Sequence, residues 1–91
     1  MARADRINAK LTAELRPLAL TVVDESHLHA GHAGWREGGE THYRLNIVSE
    51  AFTGKTRLER HRLVNALLQN EFTTGLHALS IEAKAPDEVR S

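Results

Sequence analysis

Residues 42–49 read His42-Tyr43-Arg44-Leu45-Asn46-Ile47-Val48-Ser49. Successive side chains of an extended chain point to opposite faces, so Tyr43, Leu45 and Ile47 share one face and Arg44 and Asn46 the other. The first face is apolar and needs a second layer to cover it. The residues that follow supply one. Ala51-Phe52-Thr53-Gly54-Lys55 is a tight link. Thr56-Arg57-Leu58-Glu59 is a capping-box pattern, with Thr56 as N-cap and Glu59 at the third helical position. The helix it opens carries Leu58, Val64, Leu67 and Leu68 inward, with Leu63 beside them. It is predicted to run to about Phe72, and Gly75 is its terminator. His77-Ala78-Leu79-Ser80-Ile81-Glu82-Ala83 then alternates again, with Leu79 and Ile81 inward. Pro86 closes this strand, and residues 87–91 are expected to fray. A helix between two strands permits a right-handed crossover and parallel pairing.

Working back toward the N-terminus, Ile7, Leu11 and Leu15 form one apolar stripe at helical spacing. Asp5 suits the cap or first turn of that helix. Pro17 stops it, because the residue before a proline is pushed out of the α region. From Leu18 to Val23 the chain alternates as a strand, with Leu18, Leu20 and Val22 on one face and Ala19, Thr21 and Val23 on the other. A long connection follows, with glycines at 31, 34, 38 and 39. The two strands it joins are expected to pair antiparallel. The order is helix, strand, strand, helix, strand. The expected class is α+β: a three-stranded mixed sheet with helices on one face. One domain spans 1–91, with an ordered core over about 5–86 and a mobile His- and Gly-rich loop over 25–40.

Composition sets bounds on function. Twelve basic residues balance twelve acidic ones in 91. Net charge therefore argues neither for nor against nucleic acid, and any electrostatic case must come from local clustering. With no cysteine in the chain, disulfides and thiolate ligands are excluded. No apolar run approaches the ~20 residues that span a bilayer. The expectation is a soluble cytoplasmic protein with no membrane partner.

Three histidines, His27, His29 and His32, crowd the long connection. Histidine is the commonest metal ligand among side chains and titrates near neutral pH. The plain alternative is a solvated loop. His77 stands two residues before Leu79, so strand phase points it to the same face, at the edge where that face runs out. A packed histidine at the core rim and a metal ligand both satisfy this placement. Asp24 and Glu25 adjoin the loop histidines and could orient them. Lys55, Arg57, Arg60 and Arg62 cluster at the start of the second helix, where backbone N–H groups also favour anions. A phosphate contact and a solvated helix face are equally good readings of them. His61 lies close to the buried stripe and reads as structural. Trp35, in the glycine-rich loop, could anchor a partner or fold back over the sheet edge. No catalytic constellation emerges, and Ser26 beside His27 is not a dyad.

Asp24-Glu25-Ser26 with the following histidines, Glu40-Thr41-His42-Tyr43-Arg44, Ile47-Val48-Ser49, Phe52-Thr53-Gly54-Lys55, Arg60-His61-Arg62-Leu63-Val64 and His77-Ala78-Leu79 occur in the order seen in BolA proteins. The resemblance covers about Ile7 to Pro86. It implies a fold like a type II KH domain and a non-enzymatic protein. It implies partnership with a monothiol glutaredoxin, the two sharing a [2Fe–2S] cluster. The glutaredoxin would supply one thiolate and bound glutathione another. This chain would supply His77 and a loop histidine, which maps to His29 with His32 as competitor. Neutral imidazoles in place of thiolates raise cluster potential and make ligation pH-dependent. The resemblance also implies a second role, transcription regulation through DNA met at Phe52 to Arg62. A third reading is a mononuclear metal binder using His29, His32 and His77. The sequence leaves a homodimer open.

Overall fold

The computed structural model describes residues 2–26 and 41–89. The elements are α1 (Arg3–Leu15), β1 (Ala19–Asp24), β2 (His42–Val48), α2 (Arg57–Leu67), α3 (Gln69–Thr73) and β3 (Ala78–Lys84), with 3₁₀ turns at Glu50–Phe52 and Pro86–Glu88. The sheet order is β1-β2-β3. β1 runs antiparallel to β2, with Val22 opposite Leu45. β2 runs parallel to β3, with Leu45 opposite Ile81. The mixed sheet expected from the helix between the last two strands is the one formed.

Alternation along β2 sets the layers. Tyr43, Leu45 and Ile47 are buried with Ile7, Leu11 and Leu15 of α1 and with Val64 and Leu68. Leu20, Val22, Leu79, Ile81 and Ala83 pack against this core from the neighbouring strands. On the opposite face Thr21, Arg44, Ser80 and Glu82 are exposed. The helices therefore lie on one side of the sheet. Ser49, fully buried, donates its hydroxyl to the carbonyl of Leu15 at 2.6 Å and joins the end of β2 to the end of α1. Arg16 ends α1 in the left-handed region (φ 44°) just before Pro17.

Three expectations change. The second helix is not continuous to Phe72. It leaves helical geometry at Leu68 (φ −103°, ψ 17°) and restarts as the short α3. The break places Glu71 against α1, where Arg3 Nη1 meets its carboxylate at 2.7 Å and Arg6 Nε at 3.0 Å. Arg3 also donates to the carbonyls of Glu71 and Thr74. Leu58 does not turn inward but stands 58% exposed, in a first turn given over to the capping box. The C-terminal end does not fray at Asp87: Glu88 caps the 3₁₀ turn through the amide of Ala85 and pairs with Arg60.

Candidate functional site: the histidine end of the sheet

The long connection leaves the sheet after Asp24 and returns at Thr41. Ser26 holds the two ends together. Its hydroxyl oxygen accepts the backbone N–H of Thr41 at 2.9 Å and of His42 at 3.1 Å, and its own N–H donates to Asp24 Oδ1 at 2.8 Å. The N–H of Glu25 donates to the carbonyl of His42. Ser26 and Thr41 are almost wholly buried. Of the segment expected to be mobile, 25–40, the first two residues are thus tied to the sheet. His27, His29, His32 and Trp35 lie outside the described residues. Glu25, read as a candidate second acceptor for those histidines, instead meets Arg44 Nε at 2.9 Å.

Thr41 is the hub of this end. Its carbonyl accepts the N–H of His77 at 2.8 Å and of Ala78 at 3.1 Å, which docks the start of β3. Its hydroxyl oxygen lies 2.9 Å from His42 Nδ1. The rings of His42 and His77 meet with centroids 5.1 Å apart and planes tilted by 53°. His42 is buried, whereas His77 is exposed. The phase argument for His77 needs correcting. His77 precedes β3, and its ring meets a residue that alternation sets opposite Tyr43, so the phase of Leu79 and Ile81 does not place it. His42 received no role in the sequence reading. It stands one residue before the core alternation begins, a position with no signal of its own, and only the parallel register of β2 and β3 brings it to His77.

The basic cluster forms a second feature. A groove of about 600 Å³ runs between β3 and the start of α2, with Lys55, Arg57, Arg60 and His61 among its walls. The approach to α2 is a type II turn: Thr53 has φ −60°, ψ 128° and Gly54 φ +78°, and Lys55 N–H reaches the carbonyl of Phe52. Nothing lies within 4 Å of where a Gly54 Cβ would stand, so the glycine answers to backbone conformation rather than close approach.

The groove is less available to phosphate than the sequence suggested. Arg60 donates to the carbonyls of Lys55 and Ala83 and pairs with Glu88. At the helix N-terminus Glu59 receives the N–H of Thr56 and Thr56 Oγ1 that of Glu59, so the capping box takes up donors an anion would need. Those bonds hold the Glu59 carboxyl below its ordinary pKa, the backbone bond from Thr56 contributing most. Lys55, Arg57 and Arg62 are exposed. Among the described residues no cluster of three or more His, Asp or Glu could hold a metal ion. No described helix is long and apolar enough to cross a membrane.

Known proteins share this frame. Residues 11–88 match the family model described as BolA-like protein. The chain is 55% identical to the SufE-like protein 1, chloroplastic/mitochondrial, of Arabidopsis thaliana over 96% of its own length and 24% of the relative's. It is 51% identical to Protein BOLA1, chloroplastic, of the same plant, over 94% of this chain and 55% of that one. It thus spans about a quarter of one of these relatives and about half of the other. The DNA-binding transcriptional regulator BolA of Escherichia coli is 42% identical over 85% of this chain and 70% of its own length. Among solved structures, the BolA domain of SufE1 from Arabidopsis thaliana superposes with a TM-score of 0.89 at 54% identity, covering 98% of each chain. With sequence match and fold in agreement over nearly its whole length, the chain belongs to the BolA-like family.

Proposed function

We propose that this protein is a non-enzymatic adaptor that shares a [2Fe–2S] cluster with a monothiol glutaredoxin. One observation carries the reading. The three-histidine connection returns to the sheet at Thr41, and the Thr41 carbonyl holds the N–H of His77 at 2.8 Å. The exposed imidazole of His77 therefore stands at the root of the loop that bears His27, His29 and His32. Imidazole nitrogen is a suitable donor for iron, and an exposed ring can meet a cluster presented by another protein. In this reading His77 and a loop histidine, His29 or its competitor His32, ligate from this side. The glutaredoxin and its glutathione supply thiolates from the other. When bound, the cluster would contribute electron-transfer capacity and could itself be the cargo passed on. The chain's own part is to hold imidazole donors in place. We place this work in the cytoplasm, although two plant relatives are named for organelles.

The test is to mix the apo protein with a cluster-loaded monothiol glutaredoxin and record the visible spectrum. The mixed cluster should give a spectrum distinct from the donor's. His77→Ala should abolish the change, and His29→Ala should weaken it or shift the cluster potential. Wild-type behaviour in both variants overturns the assignment.

The second reading, a DNA-binding regulator, rests on the named regulator among the relatives and on Lys55, Arg57 and Arg62. The engagement of Arg60 and the filled helix N-terminus make it the weaker of the two. The mononuclear reading with His29, His32 and His77 would need the same loop to close without the glutaredoxin.

A further inference from the structure

We propose that the free edge of β3 is a docking slot that takes an extended acidic segment of a partner protein as a fourth strand of the sheet. The inference does not rest on the cluster reading.

The sheet order leaves β3 at an edge. Each residue of a parallel strand turns its N–H and its C=O to the same side, and successive residues alternate. The Ala78 N–H donates to the carbonyl of Thr41, and the Lys84 carbonyl accepts the N–H of Ser49. Ala78, Ser80, Glu82 and Lys84 therefore face β2. Leu79, Ile81 and Ala83 face away from it. Arg60 Nη1 reaches the Ala83 carbonyl at 3.0 Å, from that outer side. Among the described residues no backbone group pairs with the outward N–H groups of Leu79, Ile81 and Ala83, or with the carbonyls of Leu79 and Ile81. Such a row is a template for another strand.

The space beside it is open. The groove of about 600 Å³ is lined by the five consecutive residues from Ser80 to Lys84, and on the α2 side by Lys55, Arg57, Arg60 and His61. At about 3.3 Å per residue, that stretch of β3 runs ~16 Å, room for main-chain pairing with a segment of similar length.

Charge selects the occupant. Five of the lining residues are lysine or arginine and two are glutamate, in a chain where the two kinds balance. Arg60 pairs with Glu88 and Lys84 with Glu82. The first of these pairs shows a carboxylate already held at the groove. Lys55 and Arg57 are exposed, and neither makes an ion pair among the described residues. A second copy of this chain would bring the same basic rim edge to edge, and like charge opposes it. A phosphate backbone can accept from the outward N–H groups but has no donor for the outward carbonyls. An extended acidic peptide satisfies both, and its carboxylates supply partners for Lys55 and Arg57.

The probe is a blocked seven-residue peptide alternating valine and glutamate, added to the full-length apo protein and followed by amide NMR and hydrogen exchange. The amides of Leu79, Ile81 and Ala83 should shift and exchange more slowly, while those of Leu20 and Val22 in β1 stay as they were. Two peptides N-methylated at alternate residues, one in each phase, keep the charge, and one of them loses its edge-facing donors. That one should bind roughly tenfold more weakly than the other. Reversing Lys55 and Arg57 together, Lys55→Glu with Arg57→Glu, should weaken binding of the parent peptide by roughly tenfold. Lys10→Glu, on α1, should bind as wild type. The proposal is overturned if exchange at Leu79 and Ile81 is unchanged at millimolar peptide, if both methylated peptides bind like the parent, or if the double reversal has no effect. A short DNA duplex that protects the same amides at lower concentration than the peptide, at equal salt, assigns the groove to nucleic acid and also overturns it. The wild-type exchange reading needs no substitution, so a poorly folded variant would not rescue the idea.

Discussion

Ser26→Ala tests how the histidine end is held. The substitution deletes an acceptor shared by the N–H groups of Thr41 and His42, at 2.9 and 3.1 Å. Ser26 and Thr41 are 2% and 1% exposed, so no water stands ready to replace the hydroxyl. A buried donor left unsatisfied costs about 1–3 kcal/mol, which puts two at about 2–6 kcal/mol. The two tied ends can part and admit water, so the lower end of that range, ~2–3 kcal/mol, is the expected loss. With urea slopes of about 1–3 kcal/mol per molar for small domains, the unfolding midpoint should fall by roughly 1–2 M. Hydrogen exchange adds a local reading. The amides of Thr41, His42 and His77 should lose protection before those of Leu45 and Ile47, because the clasp closes only the end of β2. A midpoint moved by less than ~0.3 M, with exchange at Thr41 and His42 unchanged, would refute the argument that Ser26 carries this end of the sheet.

Two further outcomes follow from the charged contacts. The Glu71 carboxyl is held below its ordinary pKa, chiefly by the hydrogen bond from Arg6 and also by the charges of Arg6 and Arg3, against the opposing effect of burial. A carboxyl with a lowered folded-state pKa contributes stability that is present above its unfolded value of 4.5 and lost as pH falls through the folded value. Thermal melts should therefore weaken below about pH 5, and Glu71→Gln should flatten that limb while destabilising the protein near pH 7 by about 1.5–3 kcal/mol, the worth of a hydrogen bond to a charged group, since Arg3 keeps its bonds to the carbonyls of residues 71 and 74. An acid limb as steep in the variant as in wild type contradicts this. For duplex DNA, the engagement of Arg60 reduces the candidate phosphate contacts from four to Lys55, Arg57 and Arg62. At about −0.9 per phosphate, log affinity against log salt should be no steeper than about −2.7; a slope near −3.6 in filter binding or anisotropy would show that Arg60 is released to DNA.

Much of this protein was legible in its sequence because the local signals agree with one another. Alternation along 42–48, the capping box at Thr56 and Glu59, and the stripe of Ile7, Leu11 and Leu15 depend on strand and helix periods alone. They led to three strands in a mixed sheet with helices on one face, which is the arrangement found. Gly54 at a turn and Gly75 after the last helical segment, both at positive φ, were similarly readable. The break at Leu68 was not. No glycine or proline marks it, and what sets it in place is a contact across the chain, Glu71 with Arg3 and Arg6. Leu58 was misplaced because a period cannot say where a helix runs past the surface it covers.

The candidate site divides along the same line. His77 and the histidine-rich connection stood out through residue type and spacing. His42 did not, since nothing local separates it from any polar residue at a strand start. Its meeting with His77 requires β2 and β3 to lie parallel in the register that sets His42 beside Ala78. Arg60 shows the converse. By composition it was one more free cation on a basic helix; in three dimensions it is tied to Glu88 and to the backbone of Lys55 and Ala83. The sequence by itself determined the elements, because their periods and caps are properties of neighbouring residues. Only the tertiary structure decided which side chains could act together, because that depends on hydrogen-bond register and on distances between residues far apart in the chain.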